Sequence, residues 1–325
     1  MTLTPYTDEQ ARALVNLRQR YEAWRDAERG LRALPYDLRR KAVGAYEYLY
    51  EIRDRSGNGT SLCRWDEEAE RRLTAFKAEK ADAKERLAKA RARLEEGARL
   101  VRALRVPMLA AAPGPILREA DCRGLLDGAL LVVGTNCLVA YQQEAVARFD
   151  VADETEDFDL AWAGEERPEG APVWELLKAV DPTFTVNTER GFQARNADAY
   201  EVELLVAPSR ADALARRDRP RPIPLPEQEW LLLGTPIDQV VPCRDGSAAR
   251  IVAPDPRWFA LHKLWLADQA KRNPLKRRKD REQGLAVLDA VAQAMPHYPL
   301  GEEFSRAIPA ELADSWARWR EHAER

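Results

Sequence analysis

The feature that most constrains this chain is an apolar run, Leu130-Leu131-Val132-Val133, broken at Gly134-Thr135 and followed by Glu156-Asp157-Phe158-Asp159-Leu160. Four consecutive apolar residues before a glycine read as a buried strand ending in a turn. In a second strand, alternate side chains point to opposite faces. Asp157 and Asp159 then share one face while Phe158 and Leu160 enter the core. Two adjacent carboxylates repel unless a cation lies between them. Mg²⁺ and similar hard cations take oxygen ligands, typically one or two carboxylates plus substrate phosphates. The pattern therefore points to a metal-dependent site for a nucleoside triphosphate.

Tyr200-Glu201-Val202-Glu203-Leu204-Leu205-Val206 is another strand-like run, closed by Ala207-Pro208. Glu203 supplies a third acid. Three acids on two strands can hold two metals, one activating an attacking hydroxyl and one holding the triphosphate. Glu203 is also a candidate general base on that hydroxyl.

Each element has a plainer reading. A glycine at a strand end is often only a turn, and exposed strand faces carry acids. The order and spacing of the whole set is more specific than any part. It resembles the DNA polymerase β-like nucleotidyltransferase superfamily, in which a Gly-Ser or Gly-Gly turn precedes an Asp-apolar-Asp strand and a third Asp on a neighbouring strand. The segments that carry the likeness are Val132–Asn136, Thr155–Leu160, Asp181–Phe184, Val202–Leu205 and Ala260–Leu266, with the basic run ending at Asp280. They are similar to a little-characterised bacterial branch of that superfamily, over roughly residues 30 to 290 and most strongly from 130 onward.

The resemblance implies an α+β fold: a nucleotidyltransferase core with a small mixed β-sheet, flanked by N-terminal and C-terminal helical regions. It implies Mg²⁺ or Mn²⁺ at Asp157, Asp159 and Glu203, and an NTP such as ATP held at Gly134, Thr135, Asn136 and Lys263. The NMP would pass to an acceptor hydroxyl, on RNA, protein or a small molecule, with release of pyrophosphate. Three departures stand out. Thr135 adds a methyl beside the phosphates, Glu203 replaces the usual Asp, and the gap from Gly134 to Asp157 is longer than in compact members. The Glu keeps open a second reading: a catalytically silent nucleotide-binding or partner-binding scaffold.

Charge and cysteine content narrow the class further. The 325 residues are 45% hydrophobic and 32% charged, so the chain can bury a core. A net charge of −3 gives no global pull toward nucleic acid. No apolar run approaches the roughly 20 residues of a membrane span, and Met1-Thr2-Leu3-Thr4-Pro5 lacks a signal-peptide pattern. Four scattered cysteines without Cys-x-x-Cys spacing argue against zinc and fit a reducing, cytoplasmic setting.

Three regions follow. Residues 1–105 read as helical, with Glu9–Arg29 stopped at Gly30 and a long Ala/Glu/Lys/Arg/Leu-rich arm over Asp66–Leu104. That arm either packs on the core or reaches a partner or a second subunit, the latter as a homo-oligomer. Residues 106–210 read as the catalytic core. Pro113-Gly114-Pro115 is a breaker there, followed by helices over Ile116–Leu126, Thr135–Ala147 and Trp174–Val180. Strands Phe192–Arg195 and Tyr200–Val206 pair across a turn at Asn196-Ala197-Asp198. Residues 211–325 read as mainly helical, after a proline-rich connector at Arg219–Pro226 and a β pair, Ile237–Val241 with Ala248–Val252.

Several side chains stay open between two readings. The cationic run from Lys271 is either a solvated surface or a clamp on phosphates. Lys263 either reaches the triphosphate or snorkels along the Trp-rich helix. Asn136 contacts phosphate or caps the next helix. His262 reads as structural or as a hydrogen-bond partner.

Overall fold

The computed structural model describes residues 3–152, 155, 157–166, 170–213 and 219–323; Glu156, part of the expected acid strand, lies outside them. The chain forms two compact units, residues 19–97 and residues 1–18 with 98–325.

A short strand β1 (Thr4–Pro5) precedes helix α1 (Asp8–Ala33). Thr7 and Gln10 close a reciprocal capping box. The Gln10 amide N–H donates to the Thr7 hydroxyl, and the Thr7 N–H donates to the Gln10 side chain. The helix does not stop at Gly30 as the sequence implied. A single glycine costs about 1 kcal/mol in a helix, and α1 runs on until Pro35 forbids another turn.

Within residues 19–97, the all-helical expectation is corrected. Between α1 and α2 (Glu67–Ala103) lies an antiparallel sheet of β2 (Asp37–Val43), β3 (Tyr46–Ile52) and β4 (Gly59–Arg64). Gly44 and Gly57, both at positive φ, sit between its strands. Leu38 and Leu49 pack with Ala69 and Phe76 of α2. Asp66 caps α2 by accepting from the Ala69 N–H at 2.8 Å. The two helices run antiparallel: Arg20 donates to the Arg93 carbonyl at 3.0 Å, and Arg91 lies 3.8 Å from Glu28.

The larger unit is built on a six-stranded mixed sheet. Helix α3 (Pro113–Cys122) starts at the proline expected to break it, because proline suits the first helical turn, where its missing N–H is no loss. Strand β5 (Leu130–Val133) is fully buried. Gly134–Cys137 then forms a 3₁₀ turn before α4 (Leu138–Glu144), so the single helix expected over 135–147 is two shorter pieces. After β6 (Ala147–Arg148), which pairs β1, comes β7 (Asp157–Trp162). Helix α5 (Pro172–Val180), β8 (Thr185–Val186), β9 (Gln193–Arg195), β10 (Glu201–Val206) and β11 (Ile223–Pro224) follow. The sheet order is β5-β7-β10-β9-β8, with β11 parallel to β10. The β9–β10 hairpin forms as expected, its turn fixed by Asn196 accepting from the Asp198 and Tyr200 N–H groups.

The expected β pair is present as β12 (Ile237–Pro242) and β13 (Ala248–Ala253). Helices α6 (Pro256–Asp268), α7 (Pro274–Ala294), α8 (Glu302–Ala307) and α9 (Ala310–Ala323) complete the unit. Asp255 caps α6 and Asn273 caps α7. The buried faces of β5, β7 and β10 share one hydrophobic core with α6 and α7. No helix among the described residues is long and apolar enough to cross a membrane.

Helices α6 and α7 meet at Gly284, where an added Cβ would stand 2.8 Å from Leu264 Cγ and 2.9 Å from the Ala260 carbonyl oxygen. Gly284→Ala is expected to destabilise the protein by about 1–3 kcal/mol through overpacking. Denaturant unfolding measures it, and an unchanged midpoint would show that the helices part without loss.

Candidate active site

Strand pairing assembles the acids. Parallel pairing of β7 with β10 sets Asp159 beside Glu203 and Asp157 beside Glu201, while antiparallel β5 sets Val133 beside Asp159. Phe158 and Leu160 are buried, and Asp157 and Asp159 are partly open on the other face. Strand β10 alternates likewise, with Glu201, Glu203 and Leu205 open and Val202, Leu204 and Val206 buried.

Gly134 sits at φ +73°, and a Cβ there would lie 2.2 Å from Asp159 Oδ2. The turn therefore demands glycine twice, for its left-handed backbone and for the carboxylate that fills the side-chain space.

The three acids have different surroundings. Asp157 accepts from the Thr155 hydroxyl, and Lys276 Nζ is 3.4 Å from its Oδ2. Burial pushes its pKa up, but Thr155 and Lys276 outweigh that and hold it below the usual carboxylate range. No donor among the described residues reaches the Asp159 carboxylate. Burial, then the charges of Asp157 and Glu203, raise it to about 7, against the pull of Lys263 and Lys276. Glu203 is also raised, by burial and then by Asp157. It is steadied by buried Gln193, whose amide donates to Glu203 at 3.1 Å and to Glu201 at 2.6 Å, and whose oxygen accepts from Asn187 at 2.6 Å.

These acids line a cavity of about 230 Å³. Gly134, Glu203, Lys263, Arg272 and Lys276 share it, with apolar walls from Phe192, Leu205, Ile223 and Leu225. The dense cationic segment thus divides. Arg272 and Lys276 face the cavity, while Arg278 and Arg281 pair outward with Glu282 and Asp268. Lys263 does not snorkel: it is buried and ion-paired with Asp280 at 2.8 Å, and Arg272 holds the other Asp280 oxygen at 2.8 Å. Thr135 and Asn136 are buried but do not line the cavity. The Asn136 amide neither caps a helix nor faces the cavity; it donates to the Asp157 carbonyl at 3.2 Å and braces the acid strand. His262 does line it, and burial followed by the neighbouring Lys263 lowers its pKa to about 3.

The donor set fits a hard cation that brings its own oxygen ligands. An undonated carboxylate beside a second carboxylate is the arrangement a divalent ion relieves. Among the described residues, no three His, Cys, Asp or Glu side chains form a metal-holding group on their own. Asp157 and Asp159 share one strand face, with Glu203 beside Asp159, and these are the carboxylates such a cation would meet.

Gln193, Thr155 and the Lys276–Asp157 contact were not singled out by sequence reasoning. Lys276 belongs to a visible basic run, but nothing local marks Gln193, whose role depends on β9 pairing with β10. A family model described as Nucleotidyltransferase matches residues 112–309, and the chain belongs to that family. No curated protein and no solved structure gives a significant match.

The raised pKa of Asp159 makes stability depend on pH. Asp159 ionises near 7 in the fold and near 4 when unfolded, so the folded chain binds the extra proton between those values. Stability therefore falls as pH rises through that window and stays low above it; Glu203 adds to this and Asp157 opposes it. In chelator, Asp159→Asn is expected to raise Tm at about pH 8 and to leave it nearly unchanged at about pH 4. Thermal melts across pH decide it, and a lower Tm for the variant at the higher pH would refute the crowding.

Proposed function

We propose that this member of the nucleotidyltransferase family is a metal-dependent enzyme of the DNA polymerase β-like superfamily, transferring an NMP from an NTP to an acceptor hydroxyl. What carries the reading is one observation: the Asp157–Asp159 strand runs parallel to the Glu203 strand, beside a glycine whose missing Cβ makes room for Asp159.

Asp157 and Asp159 are the ligands for Mg²⁺ or Mn²⁺, which when bound would draw charge from the triphosphate oxygens. Gly134 leaves the space beside the turn to the Asp159 carboxylate, and so lets that ligand sit against the backbone. Lys276 is half exposed, and Asp157 is its partner; it can exchange that carboxylate for phosphate oxygens once a cation neutralises the acid. Lys263 has a different task. Paired to buried Asp280, it fixes the start of α7 and supplies positive potential rather than a mobile contact.

Glu203, with its raised pKa, is suited to accept a proton. It takes the proton of the acceptor hydroxyl as that oxygen forms its bond to the α-phosphorus. The bond from the α-phosphorus to the bridging oxygen breaks, and pyrophosphate leaves with that electron pair. The longer Glu reaches further than an Asp, and Gln193 restrains the extra freedom. The acceptor is RNA, a protein or a small molecule.

The scaffold reading draws on the Glu at the third position and the lack of a ready three-ligand group among the described residues. The two readings separate by incubation with each α-labelled NTP, Mg²⁺, total RNA and total protein. Transfer predicts label in one fraction, with pyrophosphate release falling by about 10²-fold or more in Asp157→Asn with Asp159→Asn. Mg²⁺-dependent thermal stabilisation by an NTP without any labelled product would favour the scaffold.

A further inference from the structure

The sheet face that carries the acids changes character within two residues. Glu203 and Leu205 share that face of β10, and Ile223 of β11 lies beside Leu205 in parallel register. Beyond them Phe192, Leu225 and Leu266 line the same cavity, all only partly buried. The cavity therefore has an ionic part at Asp159 and Lys276 and a mainly apolar wall a few ångströms along the strands, with the Glu227 carboxylate also on its lining.

Two neutral polar side chains belong to this cavity, and both are incompletely paired. Gln228 and His262 are 4% and 6% exposed and both line it. Gln228 Oε1 and both ring nitrogens of His262 are buried without a hydrogen-bond partner. Native proteins rarely leave such atoms unmatched, and each one needs a reason. Trp230 meets the His262 ring edge-on at 6.3 Å, which packs the imidazole without satisfying either nitrogen.

We propose that this cavity also holds a nucleobase against its apolar wall, with Gln228 and His262 reading the edge of the base. The assignment rests on the nucleotidyl-transfer reading of the acid end and adds to it the part of the substrate that confers selectivity. A neutral imidazole offers one donor and one acceptor, and the carboxamide oxygen offers a second acceptor. Neither residue carries the charge that would hold phosphate, and the leucine and phenylalanine walls would strip water from an ion without repayment. A base has the complementary form: flat apolar faces for Phe192 and the leucines, and an uncharged rim of donors and acceptors for Gln228 and His262. A site built to hydrogen-bond a ligand rejects analogues lacking the matching groups far more strongly than an apolar slot does.

The test compares inorganic triphosphate with ATP, GTP, CTP and UTP, each with Mg²⁺, binding to the full chain by calorimetry. Wild type, His262→Phe and Gln228→Met are measured. At least one NTP is expected to bind about tenfold or more tighter than inorganic triphosphate, and both variants to lose that margin while keeping the affinity for inorganic triphosphate. Ligand-free His262→Phe is also expected to melt no lower than wild type, because it removes two unmatched buried nitrogens. If every NTP binds only as well as inorganic triphosphate, the base pocket is wrong while the acid-end reading stands. If nothing binds, both fall. Unchanged NTP preference in both variants, with a lowered Tm, would make these residues structural and overturn the assignment. Should a variant fail to fold, the wild-type comparison of inorganic triphosphate with the four NTPs still decides.

Discussion

Carboxylate crowding on one sheet face is the constraint on which the rest of the site depends. Parallel pairing brings Asp159 and Glu203 side by side, with Asp157 two residues away on the same face. The fold neutralises this charge only in part. Asp157 receives Thr155 and Lys276, and Glu203 receives Gln193, but Asp159 is left to the bare backbone of Gly134. A protein that needed only stability would replace one of these acids with a neutral side chain. Keeping three in a cavity is intelligible when a cation completes the arrangement.

The surrounding elements serve to hold that face still. Buried Phe158, Leu160, Val202 and Leu204 anchor the acid strands from below. Asn136 ties the glycine turn to the backbone of Asp157, so turn and acid strand are joined by a side chain as well as by the sheet. On the far side of the cavity, Asp280 gathers Lys263 and Arg272, joining α6, the segment after it and α7 into one cationic wall. Positive and negative walls thus face each other across a space whose floor becomes apolar at Leu205.

Much of this was legible in the sequence because it is written at short range. Alternation placed Asp157 and Asp159 on one face, the glycine marked the turn, and turn residues marked the β9–β10 hairpin. What depends on long-range pairing was not legible. Gln193 reaches Glu203 only through strand register, and Lys263 finds Asp280 only because α6 packs on α7. The N-terminal sheet was missed for another reason. Its glycines and its alternating Tyr46, Tyr48 and Tyr50 are strand signals, but they are brief beside the long helix-forming composition on either side. Pro113 was misread because a proline that breaks a helix interior is welcome in its first turn.

The central claim is that Asp157 and Asp159 grip a divalent cation together with a nucleotide tail. Anomalous diffraction from crystals grown with Mn²⁺ and a non-hydrolysable NTP tests it most directly. The account predicts a manganese peak at about 2.0–2.3 Å from an oxygen of each aspartate and of the triphosphate. A nucleotide bound with its phosphates away from Gly134, or a manganese peak that neither aspartate touches, would contradict it.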